Sequence, residues 1–145
     1  MALTDFLKTE EQQRIVDAIA ETELCTSGEI CVHITPRCWG SPYKKALRKF
    51  YKLGLFKTER RNAVLIFVAY KSRKFAIIGD EGINNCIPEG FWDKALQQLG
   101  DKLKTGEPCQ GLCQAIHLIG EQLSAFFPAD KEENNELSNE IIYED

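Results

Sequence analysis

The longest apolar run in the chain, Ala63-Val64-Leu65-Ile66-Phe67-Val68-Ala69-Tyr70, is eight residues long. That falls far short of the ~20 apolar residues a bilayer span needs, and it suits a buried strand. Only Lys71-Ser72-Arg73 separates it from a second strand-like run, "KFAIIG". A connection that short joins antiparallel neighbours, so the two runs read as a hairpin. Upstream, "EICVHIT" alternates, with Ile30, Val32 and Ile34 on one side and Cys31, His33 and Thr35 on the other. That is a third strand, first in chain order.

Between the first two strands, Tyr43, Ala46, Leu47, Phe50 and Tyr51 recur at helical spacing over residues 42–52, and Gly54 stops the pattern. Strands joined through a helix run parallel as a right-handed crossover. An earlier helix is predicted to about Glu23, with Thr9 as N-cap, Gln12 at the third position, and Ile15, Val16 and Ile19 on one face. Pro88 opens a third helix on Phe91, Ala95, Leu96 and Leu99, and residues 106–127 supply a fourth. The order α-β-α-β-β-α-α predicts an α/β fold. Its mixed β-sheet combines a parallel β-α-β crossover with an antiparallel hairpin, packed by helices as an α/β/α sandwich.

A length of 145 residues suits one domain. The start "MALTDFLKTEEQQ" has no basic segment followed by an apolar one, so neither a secretory signal nor a membrane anchor is read here. The expectation is a cytoplasmic monomer. Its six cysteines (Cys25, Cys31, Cys38, Cys86, Cys109, Cys113) are then thiols, several of them core-packed. From Asp130 onward seven acids face one lysine, which leaves +2 on residues 1–129 of a chain that totals −4. Residues 1–128 are therefore read as the domain and 129–145 as an acidic, disordered tail. Its closing Ile141-Ile142-Tyr143 is expected to fray rather than dock.

The stretch "GDEGINN", residues 79–85, carries more carboxylates, amides and glycines than a turn needs. The topology bears on this. If the first two strands are parallel and the third runs back, the starts of the first two and the end of the third share one sheet edge. Glu29, Asn62 and Asp80-Glu81 then meet there, with Glu59 close by. Clustered carboxylate and amide oxygens suit a hard cation, Ca²⁺ or else Mg²⁺ or Mn²⁺. Arg60 and Arg61 offer the competing way to relieve the charge, and a solvated turn is the plain alternative. The loop lacks the EF-hand spacing. The opposite edge, with Pro36-Arg37-Cys38-Trp39 and Tyr70-Lys71-Ser72-Arg73, is cationic and aromatic and forms a second candidate, for an anion.

An ordered set of features runs through residues 7–126: Ser27-Gly28-Glu29-Ile30, Leu53-Gly54, Asn62-x-Val64-Leu65, Arg73-Lys74 and Gly79-x-x-Gly82. This set resembles the TPM domain family, also labelled TPM phosphatase domains. The resemblance implies a mixed sheet between helices and divalent cations, Ca²⁺ especially, bound at acidic loops. It also implies roles ranging from photosystem II repair to modulation of a nematode acetylcholine receptor, with acid phosphatase activity attributed to a plant member. Many members carry a signal peptide or membrane anchor, so this chain resembles a stand-alone bacterial version. Two positions depart from the pattern. Ala63 stands where the family usually has glycine, and Gly82-Ile83-Asn84-Asn85 where it often has Gly-Leu-Glu-Gly.

Three other patterns read as decoys. Cys31 and Arg37 have the spacing of a cysteine phosphatase, but the residues between them form a strand that holds them roughly 20 Å apart. Cys109, Cys113 and His117 share a helix face with Leu112 and Ile116 and read as core packing rather than zinc ligands. Lys44, Lys45, Arg48, Lys49 and Lys52 line the outer face of helix 42–52, a solvated face before it is a binding surface, with an acidic partner or the protein's own tail as good a guess as RNA. The expected function is cation binding by Asp80, Glu81, Asn62, Glu59 and Glu29, with a binding or regulatory role. The alternatives are a metal-dependent acid phosphatase at the same loops and a partner-binding scaffold through the basic helix.

Overall fold

The computed structural model describes residues 2–129 and 141–144. A short helix α1 (Leu3–Phe6) leads into α2 (Thr9–Glu23), strand β1 (Glu29–Thr35) and helix α3 (Pro42–Lys52). A 3₁₀ turn (Leu55–Lys57) precedes β2 (Ala63–Ala69) and β3 (Lys74–Gly79). A four-residue helix α4 (Glu81–Asn84), α5 (Phe91–Lys104), α6 (Pro108–Phe126) and a two-residue strand β4 (Ile142–Tyr143) complete the order. The sheet runs β3-β2-β1-β4, with β1 parallel to β2 and β2 antiparallel to β3. The predicted mixed sheet and crossover are thus observed.

Period-two alternation divides the core into two layers. Ile30, Val32, Ile34, Val64, Ile66, Val68 and Ile77 face the layer built with α2, α5 and α6. Cys31, Leu65, Phe67, Ala76 and Ile78 face the smaller layer with Ala46 and Phe50 of α3 and Leu55. All seven residues of β2 are buried, as expected of a strand covered on both faces. The result is an uneven α/β/α sandwich.

Local sequence accounts for most element ends, with corrections at several starts. The N-cap of α2 is Lys8 rather than Thr9, and its N–H donates to Glu11 Oε1 (3.0 Å), so Glu11 closes the turn instead of Gln12. Helix α5 starts at Phe91, after Gly90 in a left-handed conformation (φ 82°), rather than at Pro88. Helix α6 begins with Pro108 at its first position, where a missing N–H costs nothing. All six cysteines are free thiols.

The chain end departs most from expectation. Ile141 is buried in the larger core layer, and Ile142–Tyr143 pair in parallel with β1 instead of fraying. Two β-branched residues, alternating faces beside an edge strand, bury enough apolar surface to hold a terminal segment in place. The remainder of the predicted acidic tail, residues 130–140 and 145, lies outside the described residues.

Candidate functional site

Three strand ends meet where the topology requires. Glu29 lies opposite Ala63, Val64 opposite Gly79, and the Asp80 N–H donates to the Ala63 carbonyl (3.0 Å). At this corner Asp80 is buried and begins α4, its Oδ1 accepting from the Glu81 N–H (2.8 Å). The Arg61 guanidinium grips the same carboxylate by two parallel bonds, Nε to Oδ2 (2.7 Å) and Nη2 to Oδ1 (2.8 Å). Its Nη1 donates to Glu81 Oε1 (3.2 Å). The planar fork matches carboxylate geometry, which makes this the strong form of an ion pair. Hydrogen bonding to Asp80 raises the guanidinium pKa further.

The glycines have separate reasons. A Cβ on Gly82 would lie 2.1 Å from the Arg60 carbonyl oxygen and 2.6 Å from that of Arg61, so any side chain would collide with backbone. The close approach permits the Gly82 N–H to donate to the Arg61 carbonyl (2.8 Å). Arg61 itself is left-handed (φ 54°), which costs an L-residue about 1–2 kcal/mol. A Cβ on Gly79 would lie 2.4 Å from Trp92 Cζ2. Asn84 ties that side of the loop, donating to the Gly79 carbonyl (2.8 Å) and accepting from Trp92 Nε1 (2.8 Å). Most of "GDEGINN" is therefore committed to closing one corner.

The other three predicted ligands occupy different positions. The Asn62 side chain is buried and donates to Ser27 Oγ (3.1 Å), and its backbone accepts from the Glu29 N–H (3.4 Å), lacing the two strand starts together. Glu29 is buried at the first position of β1. Glu59 is exposed in the turn before Arg60. Among the described residues, no group of three or more His, Cys, Asp and Glu stands close enough to hold a metal ion. The donor chemistry of Asp80 and Glu81 suits a hard cation, but a guanidinium holds the place between them.

The decoys resolve by burial. Cys31 lies in mid-strand, and desolvation, aided by Glu23, pushes its thiol up to about 12, far from a nucleophile at neutral pH. Burial and then Cys109 push Cys113 up to about 11, while His117 is exposed on the same helix. At the opposite sheet edge, two neighbouring cations, Lys45 of α3 and Lys74 of β3, donate to the carbonyls of Arg37 (3.1 Å) and Gly40 (2.8 Å) and brace the loop.

A second charged cluster joins the basic helix to the chain's own tail, one of the contacts the sequence left open for that helix. Glu144 Oε2 lies 2.6 Å from Lys49 Nζ and 3.0 Å from Nε2 of His33, a residue 1% exposed in the middle of β1. The His33 approach is off the line of a hydrogen bond, which makes it an electrostatic contact. Desolvation lowers the His33 pKa despite Glu144, and Lys49 lowers that of Glu144. The usable signal was the period-two order Ile141-Ile142-Tyr143 followed by an acid.

A small mixed-sheet α/β domain, with three strand ends drawn into an arginine–carboxylate corner, is the class that fold and site define. More particularly, the chain belongs to the TPM domain family, whose model matches residues 2–122. It is similar to the NMR structure of BA42 protein from the psychrophilic bacterium Bizionia argentinensis, at 36% identity and TM-score 0.89, covering 99% of each chain. The N-terminal domain of cg2496 protein from Corynebacterium glutamicum shares the fold at TM-score 0.65 and 14% identity, covering 90% of this chain and 82% of that one. Comparison with curated proteins gave no match. Among the described residues no helix is long and apolar enough to cross a membrane.

Proposed function

We propose that this TPM domain is a cytoplasmic binding module that takes up a divalent cation, Ca²⁺ foremost, at the Asp80–Glu81 corner by exchange with Arg61. The observation that carries the reading is the convergence of two carboxylates on one guanidinium at a partly open surface, the Arg61 and Glu81 side chains being 35% and 67% exposed. A divalent ion brings twice the charge of the side chain it displaces, and solvent can complete its coordination. Asp80 and Glu81 would be the ligands, with Glu59, Asn62 and Glu29 supporting from around the corner. Binding is preferred over turnover because neither histidine of the chain lies at this corner to serve as a general base. The two histidines lie on β1 and α6.

Calcium titration by NMR, on wild type, Asp80→Asn/Glu81→Gln and Arg61→Gln, tests this. The expected result is saturable shifts at residues 59–62 and 79–85, tighter binding in Arg61→Gln, and loss in the double variant. Equal binding in the double variant, or none in any form at millimolar Ca²⁺, Mg²⁺ or Mn²⁺, would overturn it. Metal-dependent release from p-nitrophenyl phosphate, abolished in the double variant, would assign the corner to a phosphatase instead.

A further inference from the structure

We propose that the outer edge of β1 is an acceptor for an extended peptide strand, and that residues 141–144 are its built-in, displaceable occupant. The peptide it fits runs parallel to β1 and carries two adjacent aliphatic residues with a carboxylate two positions after the second. This inference is independent of the cation reading.

Five observations define the acceptor. Without β4, β1 would be an edge strand with open backbone groups. The resident segment sets the register, Ile142 opposite His33 and Tyr143 opposite Ile34, with the Glu144 N–H donating to the Ile34 carbonyl (3.1 Å). Its side chains alternate, Ile141 into the larger core layer and Ile142 into the smaller one. On the Ile142 side, Glu144 meets Lys49 and His33, so the acceptor offers an ammonium to a carboxylate at one defined position. Further back along the edge, the Ile30 N–H donates to Glu23 Oε2 (3.2 Å), a side chain standing in for a strand. Backbone pairing supplies affinity and the alternating pockets supply selectivity, as in strand-addition binding generally.

The linker argues for occupancy within one molecule. Pro128 bridges Thr26, just before β1. Twelve peptide links join Ala129 to Ile141, a reach of up to ~40 Å, against roughly 20 Å along the strand from Thr26 to Val32. That length is ample for the chain end to reach its own edge strand, whereas short hinges favour exchange between copies. A competing peptide therefore works against an effective concentration on the order of millimolar. Against it stand two strand pairs, the burial of Ile141 and Ile142, and the Glu144 contacts, a small set for a segment that must also be ordered.

The probe is a fluorescent peptide copying residues 139–145, titrated into the full chain. Wild type should bind it weakly. Ile142→Asp, which cannot seat its own segment, should bind it at least ~10-fold more tightly, because the competent state is no longer occupied. Adding Lys49→Glu should weaken that binding, and a peptide with lysine in place of its glutamate should restore it. In the wild type, excess peptide should speed exchange of the Glu144 amide, a readout that needs no variant. Equal binding by a scrambled peptide, unchanged affinity in Ile142→Asp, or a Glu144 amide indifferent to peptide would overturn the proposal. Concentration-dependent doubling of mass in Ile142→Asp mixed with wild type would assign the edge to a second copy's tail instead.

Discussion

Two charged clusters tie distant parts of this chain together, and they are built to opposite specifications. At one, Arg61 holds Asp80 by two bonds of 2.7 and 2.8 Å, and both partners adjoin paired strands, Arg61 just before β2 and Asp80 directly after β3. At the other, Lys49 meets Glu144 as a point contact of 2.6 Å, and Glu144 hangs from a two-residue strand near the chain end. A planar fork on anchored backbone specifies one geometry. An ammonium facing a terminal carboxylate tolerates many, and the entropy of ordering the end opposes it. The first is a clasp and the second a latch, a difference that sets how each should respond to damage.

The sharpest way to break the clasp is Gly82→Ala. A methyl group 2.1 Å from a carbonyl oxygen forces backbone to move, and a loss of about 3 kcal/mol or more in urea unfolding is expected. The latch should give less. Ile141→Ala removes a buried side chain from a segment that can simply detach, so its cost should stay near or below ~2 kcal/mol, the low end for core truncations. Faster amide exchange should then be confined to residues 141–144.

Acid sharpens the comparison further. The folded-state pKa of His33 lies below the ordinary 6.5, so its contribution is complete above that value and is lost as pH falls through the depressed one. Glu144, lowered beneath 4.5, is lost in the same direction at still lower pH. Unfolding free energy should fall below pH 6.5, His33 contributing a slope no steeper than one proton, about 1.4 kcal/mol per pH unit, which His33→Gln should remove. The charged groups around His33 are Glu144, just after β4, with Lys49 and Lys45 of α3, so Lys49→Ala should shift the profile as well. The smallest effect belongs to salt. Lys49→Ala should cost no more than ~1 kcal/mol, and 1 M NaCl should erase the difference from wild type.

The elements were legible because their signals lie between near neighbours in the chain. The alternation of residues 29–35, the apolar run of 63–70 and the three-residue turn at 71–73 lead to the observed sheet order. The convergence of three strand ends followed from topology alone. What did not follow was the pairing of side chains at that corner. The sequence offered Arg60 and Arg61 equally, and the left-handed turn at Arg61 (φ 54°) selected one. Asn62 read as an oxygen donor to a shared site, yet its amide is spent on Ser27. Nor did the acids of the tail distinguish Glu144, because nothing local marks which carboxylate will meet a lysine 95 positions earlier.

By itself the sequence determined a mixed sheet under helices, a glycine-bound acidic loop at one sheet edge, and thiols without bridges. Only the tertiary structure decided that Arg61 fills that loop, that Gly79 and Gly82 make room for Trp92 and a neighbouring backbone, and that the chain end closes on β1. Periodicity is a property of consecutive residues and survives without a fold. Which charge meets which depends on register, on one left-handed residue and on the reach of a linker, and these exist only once the sheet has formed.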